Sequence, residues 1–148
     1  MSFIEKASRH GAQSLLGAFH VNAGRFDDAF TSLHVDEITP TGALCTVEVT
    51  ERLGNSYGSL HGGAIASLVD IAGTLALLGV DKDKGGVTVE LSTSFIAAAP
   101  VGSTVKVKAA CLKMGRTLGF TQVDLYNDKG ALIATGRHTK AFAASKKP

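Results

Sequence analysis

The segment from residue 62 to residue 79 most restricts the folds open to this chain. It consists almost entirely of apolar and small residues, and Gly79 and the run DKDKGG end it. As an α-helix it would be about 27 Å long and apolar over most of its circumference. Such a helix has to be covered on nearly all sides, which a strongly curved sheet wrapped around it achieves most simply.

Segments on both sides of this helix alternate apolar and polar residues with the period of β-strands. Before the helix, SLHVDEITP and ALCTVEVTERL flank a turn signal at residues 40–42, which predicts a hairpin. Four more alternating runs follow the helix: GVTVELSTSFIAA, STVKVKAACLKM, TLGFTQVDLYN and ALIATGRHTKAF. The spacing of apolar residues also predicts a helix over residues 3–19. The predicted class is α+β, with about six antiparallel strands around one long central helix and an N-terminal helical segment over about residues 1–30.

Composition limits the function of this predicted single domain of 148 residues. A net charge of +2 is too small and dispersed to indicate nucleic acid binding, although it suits an anionic small ligand. We expect no apolar run of the ~20 residues that a membrane span needs. Cys45 and Cys111 each lie in an alternating run, which favours buried free thiols over a disulfide or metal site and so an intracellular compartment. The N-terminus lacks the continuous apolar region of a secretory signal, and cytoplasmic and mitochondrial locations both stay open.

Asp70 is the single carboxylate within this long helix. Its predicted face consists of small or polar residues: Gly63, Ala66, Ser67, Asp70, Gly73 and Thr74. The opposite stripe, predicted to press into the sheet, consists of Ile65, Leu68, Ala72, Leu75 and Ala76. An acid in the middle of a helix costs helix propensity and desolvation, so some compensating use is expected. Structural pairing of the carboxylate and a role in catalysis are both open at this point.

The sequence GSLHGG leads into the helix and suggests how Asp70 is used. Gly62 and Gly63 leave backbone N–H groups at a helix N-terminus, where the dipole is positive and a carbonyl oxygen gaining negative charge is stabilised. Gly62 and Asp70 would lie about 12 Å apart along one helix, too far for both to contact one reacting carbon. If they act together, a second copy of the helix runs antiparallel, which predicts an obligate dimer.

Several motifs are spread over about residues 30–142: Asn55, LHGG at residues 60–63, LVD at residues 68–70, GVTVELSTSF around Thr88, and the segments GRTLGFTQVDLYN and GRHTK. Together they resemble the hotdog-fold acyl-CoA thioesterases of the PaaI-like group. The resemblance implies dimers paired into a tetramer that hydrolyse acyl-CoA without a metal or organic cofactor. Medium- to long-chain fatty acyl groups are the implied substrates, and aryl-acyl groups, which other PaaI-like enzymes favour, stay open. No GxSxG element is present, and neither cysteine has an evident histidine partner, which argues against an acyl-enzyme.

The same resemblance implies roles for individual residues. Gly62 would polarise the thioester carbonyl through its N–H. Asp70 of the neighbouring chain would act as general base on a water molecule, and direct attack by its carboxylate is the less favoured alternative. Asn55 and His61 would line the site, and Thr88 stands where the family commonly has serine, with its hydroxyl kept for the water or for Asp70. The implied substrate and CoA contacts, several of them basic residues bordering the mouth, are Gly63, Phe95, Ile96, Ala97, Lys113, Met114, Gly115, Arg116, Thr117, Arg137 and Lys140.

Other interpretations stay open on the residues alone. Any single basic residue of this set also suits an ordinary solvated surface. A non-catalytic acyl-CoA binding module would use the same pocket, although Asp70 disfavours it, because a protein without catalysis would be expected to carry an apolar residue in place of a buried acid. A hotdog hydratase or dehydratase would need an acid and a histidine poised over the substrate, and no second helix-borne pair of that kind supports it.

Overall fold

A computed structural model describes residues 24–143. Within this range lie one α-helix and six β-strands: α1 (Gly62–Val80), β1 (Leu33–Thr39), β2 (Gly42–Glu48), β3 (Val87–Phe95), β4 (Thr104–Met114), β5 (Leu118–Tyr126) and β6 (Leu132–Ala141). Two short 3-10 helices, Phe26–Phe30 and Glu51–Leu53, precede β1 and follow β2. The helix predicted over residues 3–19 lies outside the described residues.

The six strands form one antiparallel sheet in the order β1-β2-β4-β5-β6-β3. The sheet curves around α1, as the apolar circumference of this helix requires. The chain crosses from α1 to the far edge of the sheet, where β3 pairs with β6. This leaves β3 as an edge strand within the described part of the chain, with Val87, Val89 and Leu91 exposed along it.

The predicted hairpin is confirmed, and one of its details is corrected. β1 and β2 meet at the predicted turn, where Thr39 pairs with Gly42. Gly42 also runs against β4 so closely that a Cβ there would lie 2.2 Å from the carbonyl oxygen of Ala109, which only glycine tolerates. The sequence Glu51–Leu53 does not continue β2 as predicted, because it turns into a 3-10 helix that leads the chain towards α1.

The core lies between α1 and the inner face of the sheet. All five residues of the predicted sheet-facing stripe of α1 are buried, and so are Val105, Val107 and Ala109 of β4. The prediction of an open opposite face is wrong at Gly73 and Thr74, which are also buried. Gly73 packs against β5 and β6. We expected no apolar run long enough to span a membrane, but α1 has the necessary length and composition. Most of this helix is buried inside the fold, where it is the core helix.

Both cysteines are free, as predicted. Cys45 is fully buried in β2, and burial, reinforced by the negative charge of Asp36, raises the pKa of its thiol to about 12. Cys111 is half-buried, and burial raises its pKa as well. Both shifts favour the neutral thiol over the thiolate, which is the nucleophilic form.

Candidate active site

Asp70 lies at the centre of a small network of polar side chains. Its side chain is 42% exposed, and Oδ2 accepts a hydrogen bond of 3.2 Å from the Thr88 hydroxyl. The same hydroxyl lies 2.8 Å from Nε2 of His138, and that nitrogen is 3.7 Å from Oδ1 of Asp70. The carboxylate thus has fixed partners on the sheet side and access to solvent on the other.

The pairing of β3 with β6 builds this network. Thr88 stands near the start of β3, opposite Lys140, and an irregularity between Thr88 and Glu90 shifts the register so that His138 pairs with Leu91. Because side chains alternate along a strand, His138 and Lys140 point to the inner face of the sheet together with Gly136. Both side chains therefore face α1 at the level of Asp70.

The hydrogen positions follow from what each group can donate. An ionised carboxylate only accepts, so the single hydroxyl hydrogen of Thr88 goes to Asp70, and His138 has to donate from Nε2 to Thr88. The Nδ1 atom of His138 is then a bare acceptor, and it is buried without a hydrogen-bond partner among the described residues. Burial lowers the pKa of His138 more than the nearby Asp70 raises it, so the imidazole is neutral near pH 7.

A second pair of side chains contacts Asp70 from its other side. The Thr74 hydroxyl donates to the carbonyl oxygen of Asp70 at 2.8 Å and lies 3.5 Å from Oδ1. Lys140 donates from Nζ to this hydroxyl at 2.8 Å, and it is only 6% exposed. Lys140 therefore differs from the expectation of a basic residue at the mouth of the site, because its alternating position in β6 directs it inward beside Asp70.

The first two backbone N–H groups of α1, those of Gly62 and Gly63, differ in their hydrogen bonding. Nδ1 of His61 accepts from the N–H of Gly63 at 2.8 Å, which caps the helix. The N–H of Gly62 has no acceptor within residues 24–143. The predicted oxyanion donor is therefore uncommitted, whereas the neighbouring amide is already used.

Gly62 also lines a cavity of about 330 Å³. It brings together five of the residues predicted for the site: Asn55, Gly62, Phe95, Ile96 and Ala97. Asn55 also shapes the loop, since its Oδ1 accepts from the backbone N–H of Tyr57 at 2.9 Å and of Ser59 at 3.1 Å. Its Nδ2 has no hydrogen-bond partner in the part of the chain that the structure describes. His61 lines a neighbouring cavity with Gly63 instead.

The predicted residues fall into two groups at opposite ends of β3. Gly62 lies beside Phe95, at the end of this strand, whereas Asp70 contacts Thr88, near its start, and the two ends are about 23 Å apart. Residues 113–117 belong to the Thr88 end, because the backbone of Thr117 bonds to Phe142, just beyond β6. Arg137 lines a different cavity on the outer face of the sheet. A single chain does not bring the two groups together.

Two residues of the site, His138 and Thr74, are not among those predicted for catalysis from the sequence. A signal for His138 does exist in the run ALIATGRHTKAF, where alternation places His138 and Lys140 on the face that also carries buried Ala134 and Gly136. Polar residues on an otherwise apolar strand face indicate a buried polar network. The partner of this network, β3, could not be identified from local pattern.

A long helix wrapped by a six-stranded antiparallel sheet is the hotdog fold, and within residues 24–143 this helix carries a half-exposed carboxylate and, at its N-terminus, an N–H without an acceptor. The chain belongs to the thioesterase superfamily, whose family model matches residues 57–134. It is therefore a thioester hydrolase, and the family resemblance seen in its motifs is confirmed.

Individual relatives agree with this assignment. The chain is 39% identical over 119 residues to human acyl-coenzyme A thioesterase 13, covering 80% of this chain and 85% of that protein. It superposes on the crystal structure of zebrafish thioesterase superfamily member 2 with a TM-score of 0.84 at 35% identity, covering 90% and 96% of the two chains. A hypothetical thioesterase protein of Streptococcus pneumoniae, solved with coenzyme A, gives a TM-score of 0.76 at 25% identity over 89% and 99%.

Proposed function

We propose that this protein hydrolyses medium- to long-chain fatty acyl-CoA to the free acid and CoA. The observation that carries the proposal is the placement of Asp70, a half-exposed carboxylate oriented by Thr88 on a helix whose N-terminal Gly62 N–H is uncommitted. The similarity to human acyl-coenzyme A thioesterase 13, and to a thioesterase solved with coenzyme A, supports acyl-CoA as the substrate class.

In the proposed reaction, water attacks the thioester carbonyl carbon while Asp70 accepts a proton from that water. The carbonyl oxygen becomes an oxyanion and is stabilised by the N–H of Gly62 at the positive end of α1. The tetrahedral intermediate then collapses, the carbon–sulfur bond breaks, and CoA leaves as a thiolate that takes up a proton. A thiol pKa near ~8.5 makes this a good leaving group, so no strong general acid is required.

We further propose that each site combines two chains. Gly62 and Asp70 of one chain are about 12 Å apart along α1. At this distance they cannot both contact one thioester carbonyl and the water that attacks it. Antiparallel apposition of two copies would place the Gly62 end of one beside the Asp70 end of the other. The exposed edge strand β3, with Val87, Val89 and Leu91 along it, supports pairing of this kind, because long apolar edges are rarely left open.

Such a dimer also suggests which residues meet CoA. Residues 113–117 lie at the Asp70 end of the chain, and the cavity with Phe95, Ile96 and Ala97 lies at the Gly62 end. In an antiparallel pair these groups border the same site, so Lys113 and Arg116 are the cations we assign to the CoA phosphates. Arg137, on the outer face of the sheet, falls outside this grouping. Pairing of dimers into a tetramer is part of the same proposal.

The test is thiol release from a panel of fatty and aryl acyl-CoAs by the native chain and by Asp70→Asn. We expect the native chain to turn over the fatty series and the variant to lose about 100-fold or more in kcat, with its oligomeric state unchanged. Tight binding of acyl-CoA without turnover by the native chain would overturn the proposal in favour of a non-catalytic acyl-CoA binding module.

A further inference from the structure

We propose that Lys140 is a positioning residue for the hydrolytic base, and that its buried ammonium acts through the Thr74 hydroxyl to hold Asp70 in place and in its charged form. This inference rests on the proposed function, in which Asp70 activates the water. It gives Lys140 a role different from contact with CoA, for which the sequence alone had suggested it.

The contacts form a chain from β6 to the carboxylate. Nζ of Lys140 donates to Oγ1 of Thr74 at 2.8 Å. That hydroxyl in turn donates to the carbonyl oxygen of Asp70 at 2.8 Å and lies 3.5 Å from its Oδ1. Because Thr74 has a single hydroxyl hydrogen, an ammonium donor on its oxygen leaves that hydrogen for the carbonyl oxygen of Asp70.

The two oxygens of the carboxylate are therefore approached by different side chains. Oδ2 accepts from Thr88, which is linked to His138, whereas Oδ1 lies next to Thr74, which is linked to Lys140. Both outer residues belong to β6, and Lys140 is also the residue that pairs with Thr88 across the sheet. Asp70 is thus hydrogen-bonded at Oδ2 of its side chain and at its backbone carbonyl oxygen, while 42% of the side chain stays exposed.

Burial of Lys140 needs an explanation that packing alone does not give. Its side chain is 6% exposed, and lysine is almost never buried unless it is paired. No direct ion pair involves it among residues 24–143, and Thr74 is its only hydrogen-bond partner there. Burial lowers the pKa of Lys140, and Asp70 acts in the opposite direction, so the carboxylate is the charge that compensates the ammonium.

The other charges near Asp70 make Lys140 the counterion. Lys140 and Asp70 line one cavity of about 250 Å³, together with the acidic Asp27 from the 3-10 helix before β1. His138 from β6 is neutral near pH 7 because burial lowers its pKa, and Glu90 on β3 adds another negative charge. Among the residues lining this cavity, Lys140 is the cation, and it lies there with the carboxylates of Asp27 and Asp70.

The experiment measures the pH profile of kcat and KM for acyl-CoA hydrolysis in paired variants. Lys140→Met removes the ammonium and keeps the stem, and Thr74→Val removes the bridging hydroxyl. The acidic limb is the part of the pH profile where kcat falls as the pH is lowered. For Lys140→Met we expect this limb to move up by about one pH unit, because loss of a nearby cation raises a carboxyl pKa. KM should change less than about threefold. Thr74→Val should move the acidic limb in the same direction, and Lys140→Arg and Thr74→Ser should restore the native limb.

Two other results would overturn the inference. An unmoved acidic limb with a raised KM would make Lys140 a substrate contact, and an unmoved limb with only lower stability would make it a packing residue. If Lys140→Met does not fold, the Thr74→Val and Thr74→Ser pair decides in the same way. Asp70→Asn separates this inference from the proposed function. If the Asp70→Asn variant retains activity, the proposed function fails. If that variant is inactive and Lys140→Met has the native pH profile, only the role of Lys140 fails.

Discussion

The Thr88 hydroxyl lies 3.2 Å from Oδ2 of Asp70, across the gap between the edge strand β3 and the central helix α1. This hydrogen bond joins two consecutive elements of the chain, and it gives a half-exposed helical carboxylate a defined orientation. Since Thr88 accepts in turn from His138, the position of Asp70 depends on the pairing of β3 with β6.

Replacement of Thr88 tests this hydrogen bond directly. Thr88→Val has almost the same shape and lacks the hydroxyl, so we expect kcat to fall by about 10- to 100-fold while KM stays near its native value. Thr88→Ser keeps the hydroxyl and should recover kcat to within about threefold of native. Steady-state kinetics on one fatty acyl-CoA decides the matter, and a Thr88→Val enzyme with native kcat would rule out an orienting role.

His138 predicts a particular pH dependence of stability. Burial lowers its pKa in the folded chain, so above about pH 6.5 the residue is neutral in both states and contributes no pH dependence. As the pH falls below that value the unfolded chain binds a proton first, and the free energy of unfolding decreases by up to ~1.4 kcal/mol per pH unit. Asp70, Lys140 and Glu90 face the same imidazole and set how far its pKa moves.

Denaturant unfolding of the native chain and His138→Gln at several pH values between 8 and about 5 measures this contribution. The native chain should lose stability more steeply below pH 6.5 than the variant, which lacks the titrating group. Parallel stability curves for the two proteins would show that His138 binds its proton equally well folded and unfolded.

Gly136 sets the distance between β6 and α1. A Cβ at this position would lie 2.9 Å from both methyl carbons of Val69, the residue before Asp70, and 3.0 Å from the carbonyl oxygen of Ser92. We expect Gly136→Ala to lower the free energy of unfolding by about 1–3 kcal/mol, because the packed helix has to move. The same movement should also reduce kcat.

Gly85→Ala is the matched control, because a Cβ there would meet nothing closer than 4.0 Å. Chemical denaturation and steady-state kinetics of both variants make the comparison. If both substitutions have the same effect, the close contact between Gly136 and Val69 has no special importance.

The local pattern of apolar and polar residues was enough to predict the central helix and the strands, but it was not enough to predict the whole site. Val105, Val107 and Ala109 are buried, as their alternation predicts, because one face of β4 packs against α1. His138 and Lys140 escaped prediction as partners of Asp70 because their roles depend on a non-local pairing, β3 with β6, that no run of residues specifies. For the same reason Thr74 was placed on an open face, whereas the sheet buries it.

The proposal that each site contains residues of two chains leads to a complementation experiment. Gly62→Pro removes the N–H that would stabilise the oxyanion, and proline is well tolerated at the first position of a helix. The backbone of His61, at φ −63° and ψ 136°, already has a conformation that suits a following proline. Gly62→Ala is the control, because it keeps the N–H and its Cβ would lie 3.4 Å from the ring of Phe95.

The most direct measurement is the activity of a mixed dimer that contains one Gly62→Pro chain and one Asp70→Asn chain, isolated with two different tags. Each homodimer should be nearly inactive, since every site lacks one of the two groups. If sites are shared between chains, the mixed dimer has one site with both groups intact and should recover about half of the native activity. A mixed dimer no more active than the two homodimers would contradict a site built from Gly62 of one chain and Asp70 of the other.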